Sequence, residues 1–198
     1  MSEVVPGSWT NAAYVHAADY ACGFCENQVG SNHGYATGSN RDRCYIRLCP
    51  RCNRPTYFDE TSESTRQYPG SLPGTPVGSI PGDLAALYEE ARQSAAVGAY
   101  TGTVMLCRKM LMNIAVNEGS IAGLRFVEYI KYLEDNHYFS PKSKEFVTYI
   151  KDLGNEANHE IAPKTETEAL AVIEFVRALL DHTYHLPSRV PKKRIAGG

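Results

Sequence analysis

From Asp83 onward the apolar positions recur at helical spacing, and before residue 58 they do not. Leu84, Leu87, Tyr88 and Ala91 share one face of a helix expected over about 83–96, with Asp83 as its cap. A second helix is expected from about Ala99 to Glu118, with Gly119 as the residue that ends it. Val104, Cys107, Leu111 and Ile114 make one stripe on it, while Met105, Leu106, Met110 and Met112 cover other faces. A helix apolar nearly all round belongs at the centre of a domain. Phe126, Val127, Ile130 and Leu133 mark a third helix over about 121–135. The fourth opens with Ser140 as cap and Pro141 in the first turn, and carries Phe146, Tyr149, Ile150, Leu153 and Ala157. The fifth opens on Thr165 and Glu168, spaced as a capping box. Its stripe is Ala169, Val172, Ile173, Val176, Leu179 and Leu180, and it is expected to end before Pro187. Five helices with short connections predict an up-and-down bundle, so the fold class is mainly α.

The first 58 residues have a different texture. Residues 1–20 read as a lead-in with a short strand, and the Gly/Ser/Asn-rich stretch 26–40 reads as a long loop. Cys44–Leu48 has strand character, and Pro55–Phe58 reads as the return strand. Residues 59–82 then alternate proline and glycine too densely for a helix or a central strand, which makes them a linker. Leu72, Val77 and Ile80 could pin that linker onto the helical part. The expected organisation is 1–58, a small module; 59–82, the linker; 83–187, the helical domain; and 188–198, a basic tail.

Two cysteine pairs give the small module its reason to fold. Cys22-Gly-Phe-Cys25 and Cys49-Pro-Arg-Cys52 are separated by 23 residues, enough chain for a hairpin to bring one pair back to the other. Two such loops offer four thiolates to one tetrahedral ion, so the expectation is a structural zinc ribbon with short β elements and zinc as its cofactor. A module this short rarely holds a core alone, and a metal is the usual remedy. Two disulfides would require an oxidising compartment. A redox CxxC would sit at a helix N-terminus inside a βαβ unit, and none precedes residue 58. Cys44 reads as a buried strand residue, His33 as a solvated loop residue, and Cys107 as core.

No apolar run has the length of a membrane span, and no basic-then-apolar leader is visible, so the expected location is the cytoplasm, with no membrane partner. The net charge of −2 hides two basic stretches. Arg41, Arg43, Arg47, Arg51 and Arg54 face only Asp42, and Arg189 to Arg194 adds Lys192 and Lys193, so each stretch is +4. Such stretches either touch phosphates or an acidic partner, or simply keep the chain soluble.

On the fourth helix Lys151, Asn155 and His159 are spaced i, i+4, i+8 and form one polar line if the helix runs through Gly154. A cation, an amide and an imidazole in line can grip a phosphate and move a proton near neutral pH, or they can form a solvated face with a helix cap. Here the residues resemble a family. Tyr88-Glu-Glu-Ala-Arg92, Ala99-Tyr100, Cys107-Arg-Lys-Met-Leu111 and Lys151-Asp-Leu-Gly-Asn-Glu-Ala-Asn-His159 resemble the bacterial DUF4145 family, whose members commonly carry an N-terminal CxxC…CxxC ribbon. That family is similar to HEPN helical domains. The resemblance implies a homodimer, nucleic-acid-related defence with RNA or an operon-encoded protein as partner, and metal-independent RNA cleavage. His159 would then be the acid or base, Asn155 would position the phosphate, and Lys151 with Arg108 would stabilise charge. The HEPN nuclease motif places an arginine five to seven residues before the histidine. Here those positions are Gly154, Leu153 and Asp152, and the nearest basic residue is Lys151. Lysine cannot offer the arginine's bidentate fork. A non-catalytic module that binds protein or nucleic acid, or dimerises, is therefore the alternative.

Overall fold

In the first unit, Met1–Leu72, buried and exposed positions come from strands. The structure is a computed structural model that describes residues 7–37, 43–156 and 163–191. β1 (Ala13–Ala21), β2 (Gln28–Ala36), β3 (Cys44–Leu48), β4 (Pro55–Asp59) and β5 (Arg66–Tyr68) form one antiparallel meander in chain order. The stretch expected as a long loop is thus largely β2, paired on both sides. Its glycines fit the pairing rather than oppose it: a Cβ on Gly34 would run into the Ile46 carbonyl of the neighbouring strand. Three residues of the expected linker, Arg66–Tyr68, pair with β4 as the edge strand. The buried cluster of this unit is small: Tyr20, Cys22, Cys49 and Phe58, with the Tyr20 and Phe58 rings edge to face at 4.9 Å. Arg47 belongs to the same inward face. It is fully buried, donates to the His16 carbonyl and to Glu60 Oε1 (3.5 Å), and lies 4.6 Å from the Tyr45 ring. The basic stretch 41–54 therefore turns one of its arginines inward.

The second unit, Pro73–Gly198, is helical. Five of its helices among the described residues have ten or more residues: α1 (Gly82–Ala96), α2 (Tyr100–Asn117), α3 (Phe126–Asp135), α4 (Lys144–Glu156) and α5 (Glu166–Leu180). α2 packs against α1, α3 and α5 and is the central element. Its Cys107, Met110, Leu111 and Ile114 are fully buried, but Met105 is 60% exposed, so the helix is buried on most of its circumference and not all. The six-residue stripe expected on α5 is buried throughout.

Three ends differ from expectation. α1 starts one residue earlier, after Pro81, and Asp83 sits in its first turn as a favourable charge instead of a cap. α3 starts at Phe126, because Gly123 takes a positive φ of 86° and breaks the preceding stretch. α5 runs on through a π-helical turn, Asp181–His185, into Leu186–Ser188, so Pro187 does not end it. Proline is tolerated there because it falls in the first turn of the new segment.

The segment before α1 is held to it by polar groups as well as by Val77 and Ile80, which pack on the core. Arg92 Nε donates to the Pro73 carbonyl (2.9 Å) and Nη2 to the Gly74 carbonyl (3.2 Å), and Tyr88 Oη donates to the Thr75 carbonyl (3.1 Å). Among the described residues no helix is long and apolar enough to cross a membrane.

Candidate metal centre

Each cysteine pair lies in the loop of a β-hairpin, 22–27 between β1 and β2 and 49–54 between β3 and β4. The two loops are built alike. Cys22 N–H donates to the Asn27 carbonyl (3.0 Å) and Glu26 N–H to the Cys22 carbonyl (2.9 Å). Cys49 N–H donates to the Arg54 carbonyl (3.0 Å) and Asn53 N–H to the Cys49 carbonyl (2.8 Å). The fifth residue of each loop takes a left-handed backbone, φ 59° at Glu26 and 56° at Asn53. This turn folds the chain over the first cysteine and aims both sulfurs of a pair the same way.

The four sulfurs meet. Cys22 and Cys52 Sγ are 3.8 Å apart, as are Cys25 and Cys49 Sγ, and all four lie within 4.8 Å of one another. Four thiolates around a tetrahedral ion at about 2.3 Å have sulfur–sulfur edges of about 3.8 Å, whereas a disulfide needs about 2.0 Å. All six cysteines are free thiols. The set can therefore hold a metal ion. Its electrostatics call for one: burial raises the pKa of Cys22, and burial plus the neighbouring Cys49 and Cys22 sulfurs push Cys52 up to about 12. Cys25 goes the other way. Burial opposes its ionisation, but hydrogen bonds from Asn27 hold it down at about 7. Backbone hydrogen bonds from Phe24 and Cys25 reach Cys22, and one from Arg54 reaches Cys52. Four thiolates this close need a cation to offset their mutual repulsion. Neither pair sits at a helix N-terminus, where a redox CxxC would be activated.

Cys44 and His33 are outside this cluster. Cys44 is half-buried at the start of β3 and hydrogen-bonds Tyr57, and His33 is exposed on β2. Arg51 is exposed beside the second pair, and Arg54 stacks over Phe24 at 5.2 Å. Arg41 and Lys192 to Arg194 lie outside the described residues.

α4 does run through Gly154, so Lys151 and Asn155 stand one turn apart. Lys151 Nζ is bonded to Glu134 Oε2 of α3 at 2.7 Å. The Asn155 side chain and the whole of His159 lie outside the described residues. Arg108, on α2, holds its guanidinium over the Phe126 ring at 4.6 Å, and burial lowers its pKa. The two cations thus engage different partners, a carboxylate and an aromatic face.

One feature of the first unit was not legible in the sequence. Tyr35, Ile46, Tyr57 and Tyr68 are successive cross-strand neighbours from β2 to β5 and form a row over the sheet. Ile46, Tyr57 and Tyr68 are 38%, 39% and 46% exposed, and the last two rings are 6.3 Å apart. Trp9 meets Tyr35 edge to face at 6.5 Å and extends the row.

No curated protein and no solved structure matches the chain significantly. One family model does, over residues 89–196, which leaves the four cysteines outside the matched stretch and covers just over half of the chain. The matched stretch begins within α1 and runs through the helical unit, and it places the chain in a known family: it belongs to DUF4145, a domain of unknown function.

Proposed function

We propose that the first unit is a structural zinc ribbon whose outer sheet face binds single-stranded nucleic acid, and that the second is a HEPN-like helical module. Four protein sulfurs close the coordination sphere, which suits a structural zinc with no open position for substrate. The observation that carries the binding role is the row Tyr35, Ile46, Tyr57, Tyr68, whose last three members are exposed. Unpaired bases stack on such rings at about 1–3 kcal/mol per base, whatever their identity. Duplexes keep their bases stacked inside and gain nothing from it. The exposed Arg43, Arg51 and Arg66 supply charge for the backbone. The double substitution Tyr57→Leu, Tyr68→Leu keeps apolar volume and removes the rings. It is expected to weaken binding of a labelled single-stranded RNA at least tenfold in fluorescence anisotropy at fixed salt. Equal binding by the double variant, or no preference for single strands over duplex, ends this reading.

A second reading is supported by the unbroken course of α4 through Gly154. In it a homodimer from a bacterial defence system cleaves RNA without metal. The ribose 2′-oxygen attacks the adjacent phosphorus while the P–O5′ bond breaks, giving a 2′,3′-cyclic phosphate and a 5′-hydroxyl; His159 takes the 2′-hydroxyl proton and supplies one to the departing 5′-oxygen, Asn155 positions the phosphate, and Lys151 and Arg108 stabilise the charge. Lys151 would first have to leave Glu134, which weighs toward the binding role. His159→Ala should abolish any RNA cleavage seen in the presence of chelator. Cleavage that survives the substitution removes the assignment.

A further inference from the structure

Three helices of the second unit end in the same turn, and one of the three carries an unusual residue for it. Gly98 N–H donates to the Ala95 carbonyl (3.0 Å) and Ala99 N–H to Ser94 (2.8 Å). Gly119 N–H donates to Val116 (3.1 Å) and Ser120 N–H to Ala115 (2.8 Å). His137 N–H donates to Glu134 (3.1 Å) and Tyr138 N–H to Leu133 (3.0 Å). This paired closure requires a left-handed residue, and the φ values are 80° at Gly98, 106° at Gly119 and 62° at His137. Glycine takes that conformation freely. A histidine takes it at a cost, and strain of this kind collects at ligand sites.

His137 lies on a cavity of about 540 Å³, within the range of small-molecule sites. Phe139, Phe175 and Leu179 form its apolar part; Phe146 stacks on Phe175 at 4.8 Å, and Phe139 tilts against it at 5.1 Å. His182 reaches the same cavity from the π-helical turn of α5, and such turns are frequent at functional sites. Ser140 and Ser143 add two hydroxyls. None of the described lining residues is Asp, Glu, Lys or Arg.

We infer that this cavity binds a small, uncharged, planar heteroaromatic molecule with the chemistry of a nucleobase. The phenyl rings offer a stacking surface. The imidazole rings and hydroxyls supply hydrogen-bonding groups that can meet the donors and acceptors alternating along such a ring edge. A wall with no fixed charge offers nothing to offset the desolvation of an ion. The site is built entirely from the second unit and depends on neither the metal nor Lys151, Asn155 and His159, so it stands or falls separately from the proposed function.

The test is calorimetric titration of the full chain with adenosine, guanosine, cytidine and uridine. A single-stranded hexanucleotide forms a separate arm, run in the Tyr57→Leu, Tyr68→Leu background so that the sheet face does not contribute. Saturable one-to-one binding is expected. Tighter binding of the hexanucleotide identifies an unstacked base within a strand as the occupant, and tighter binding of a nucleoside identifies the free molecule. His137→Gly suits the turn better than the native residue, so it should melt a few degrees higher while binding at least tenfold more weakly. Ala178→Trp, at an exposed helical position on the cavity wall, should abolish binding with the helical signal unchanged. Absence of saturable binding by every probe up to about 1 mM overturns the inference, as does affinity unaltered in both variants.

Discussion

A strong chelator added to the full chain is expected to unfold the N-terminal unit and leave the helical unit folded. The reason is the composition of the small buried cluster: of Tyr20, Cys22, Cys49 and Phe58, two belong to the four sulfurs that could hold a metal ion. Without an ion to tie the two cysteine loops together, the Tyr20 and Phe58 rings with Val15 and Leu48 leave little buried apolar surface to order a five-stranded sheet. Structural zinc supplies about 10–16 kcal/mol of apparent binding energy in small modules, enough for an ion on these four sulfurs to decide whether such a unit folds. The chain carries its own probe. Its single tryptophan, Trp9, donates Nε1–H to the Asn53 carbonyl at 2.9 Å, inside the second cysteine loop. Chelation should therefore shift Trp9 emission to the red while the helical far-ultraviolet signal persists, and Cys25→Ser or Cys49→Ser should reproduce the shift without chelator. The same experiment should release one zinc per chain. Emission unchanged in chelator, with no metal released, would mean that the four sulfurs do not organise this unit.

How much of this was readable beforehand depends on the range of the determining interactions. Helices announce themselves locally. Thr165 and Glu168 do cap α5 reciprocally, Thr165 N–H reaching Glu168 Oε2 at 2.7 Å, and Ser140 Oγ does accept from Lys142 N–H at 3.3 Å. The cysteine pairs were equally local, since each loop closes on itself within six residues. β2 was not, because Gly30, Asn32 and Gly34 carry turn chemistry, and only the strands on either side impose extension on them. The aromatic row depends on register across three hairpin connections, which no local pattern fixes. The π-helical turn after Leu180 is likewise invisible, since Pro187 reads as a stop when its helical context is unknown. In the sequence Arg92 stands within Tyr88-Glu-Glu-Ala-Arg92, and nothing local indicates that its whole side chain is buried.

That burial makes Arg92 the position in the helical unit where substitution should cost most for a single polar side chain. Its side chain is 0% exposed, its Nε and Nη2 serve two backbone carbonyls, and Nη1 pairs with Glu89 at 2.8 Å. Glycine at position 74 is part of the same fit: its φ is 67°, and a Cβ there would come within 2.6 Å of Tyr88 Oη. Arg92→Met fills similar volume but offers no donor, so the Pro73 and Gly74 carbonyls lose charge-assisted hydrogen bonds worth about 1.5–3 kcal/mol each when intact. Glu89 is 37% exposed and recovers water, which limits the penalty on its side. The expected loss is about 3 kcal/mol, read as a fall of about 10 °C in the melting temperature of the helical signal. Arg92→Lys keeps the charge but cannot fork to two carbonyls, so it should recover less than half of that loss. Hydrogen exchange should locate the damage: amides of α1 and of residues 74–80 lose protection first, because the segment is tied to the helix through this one guanidinium and Tyr88. If both variants melted within about 2 °C of the native chain, the guanidinium would be a passenger, and the packing of Val77 and Ile80 alone would hold the segment in place.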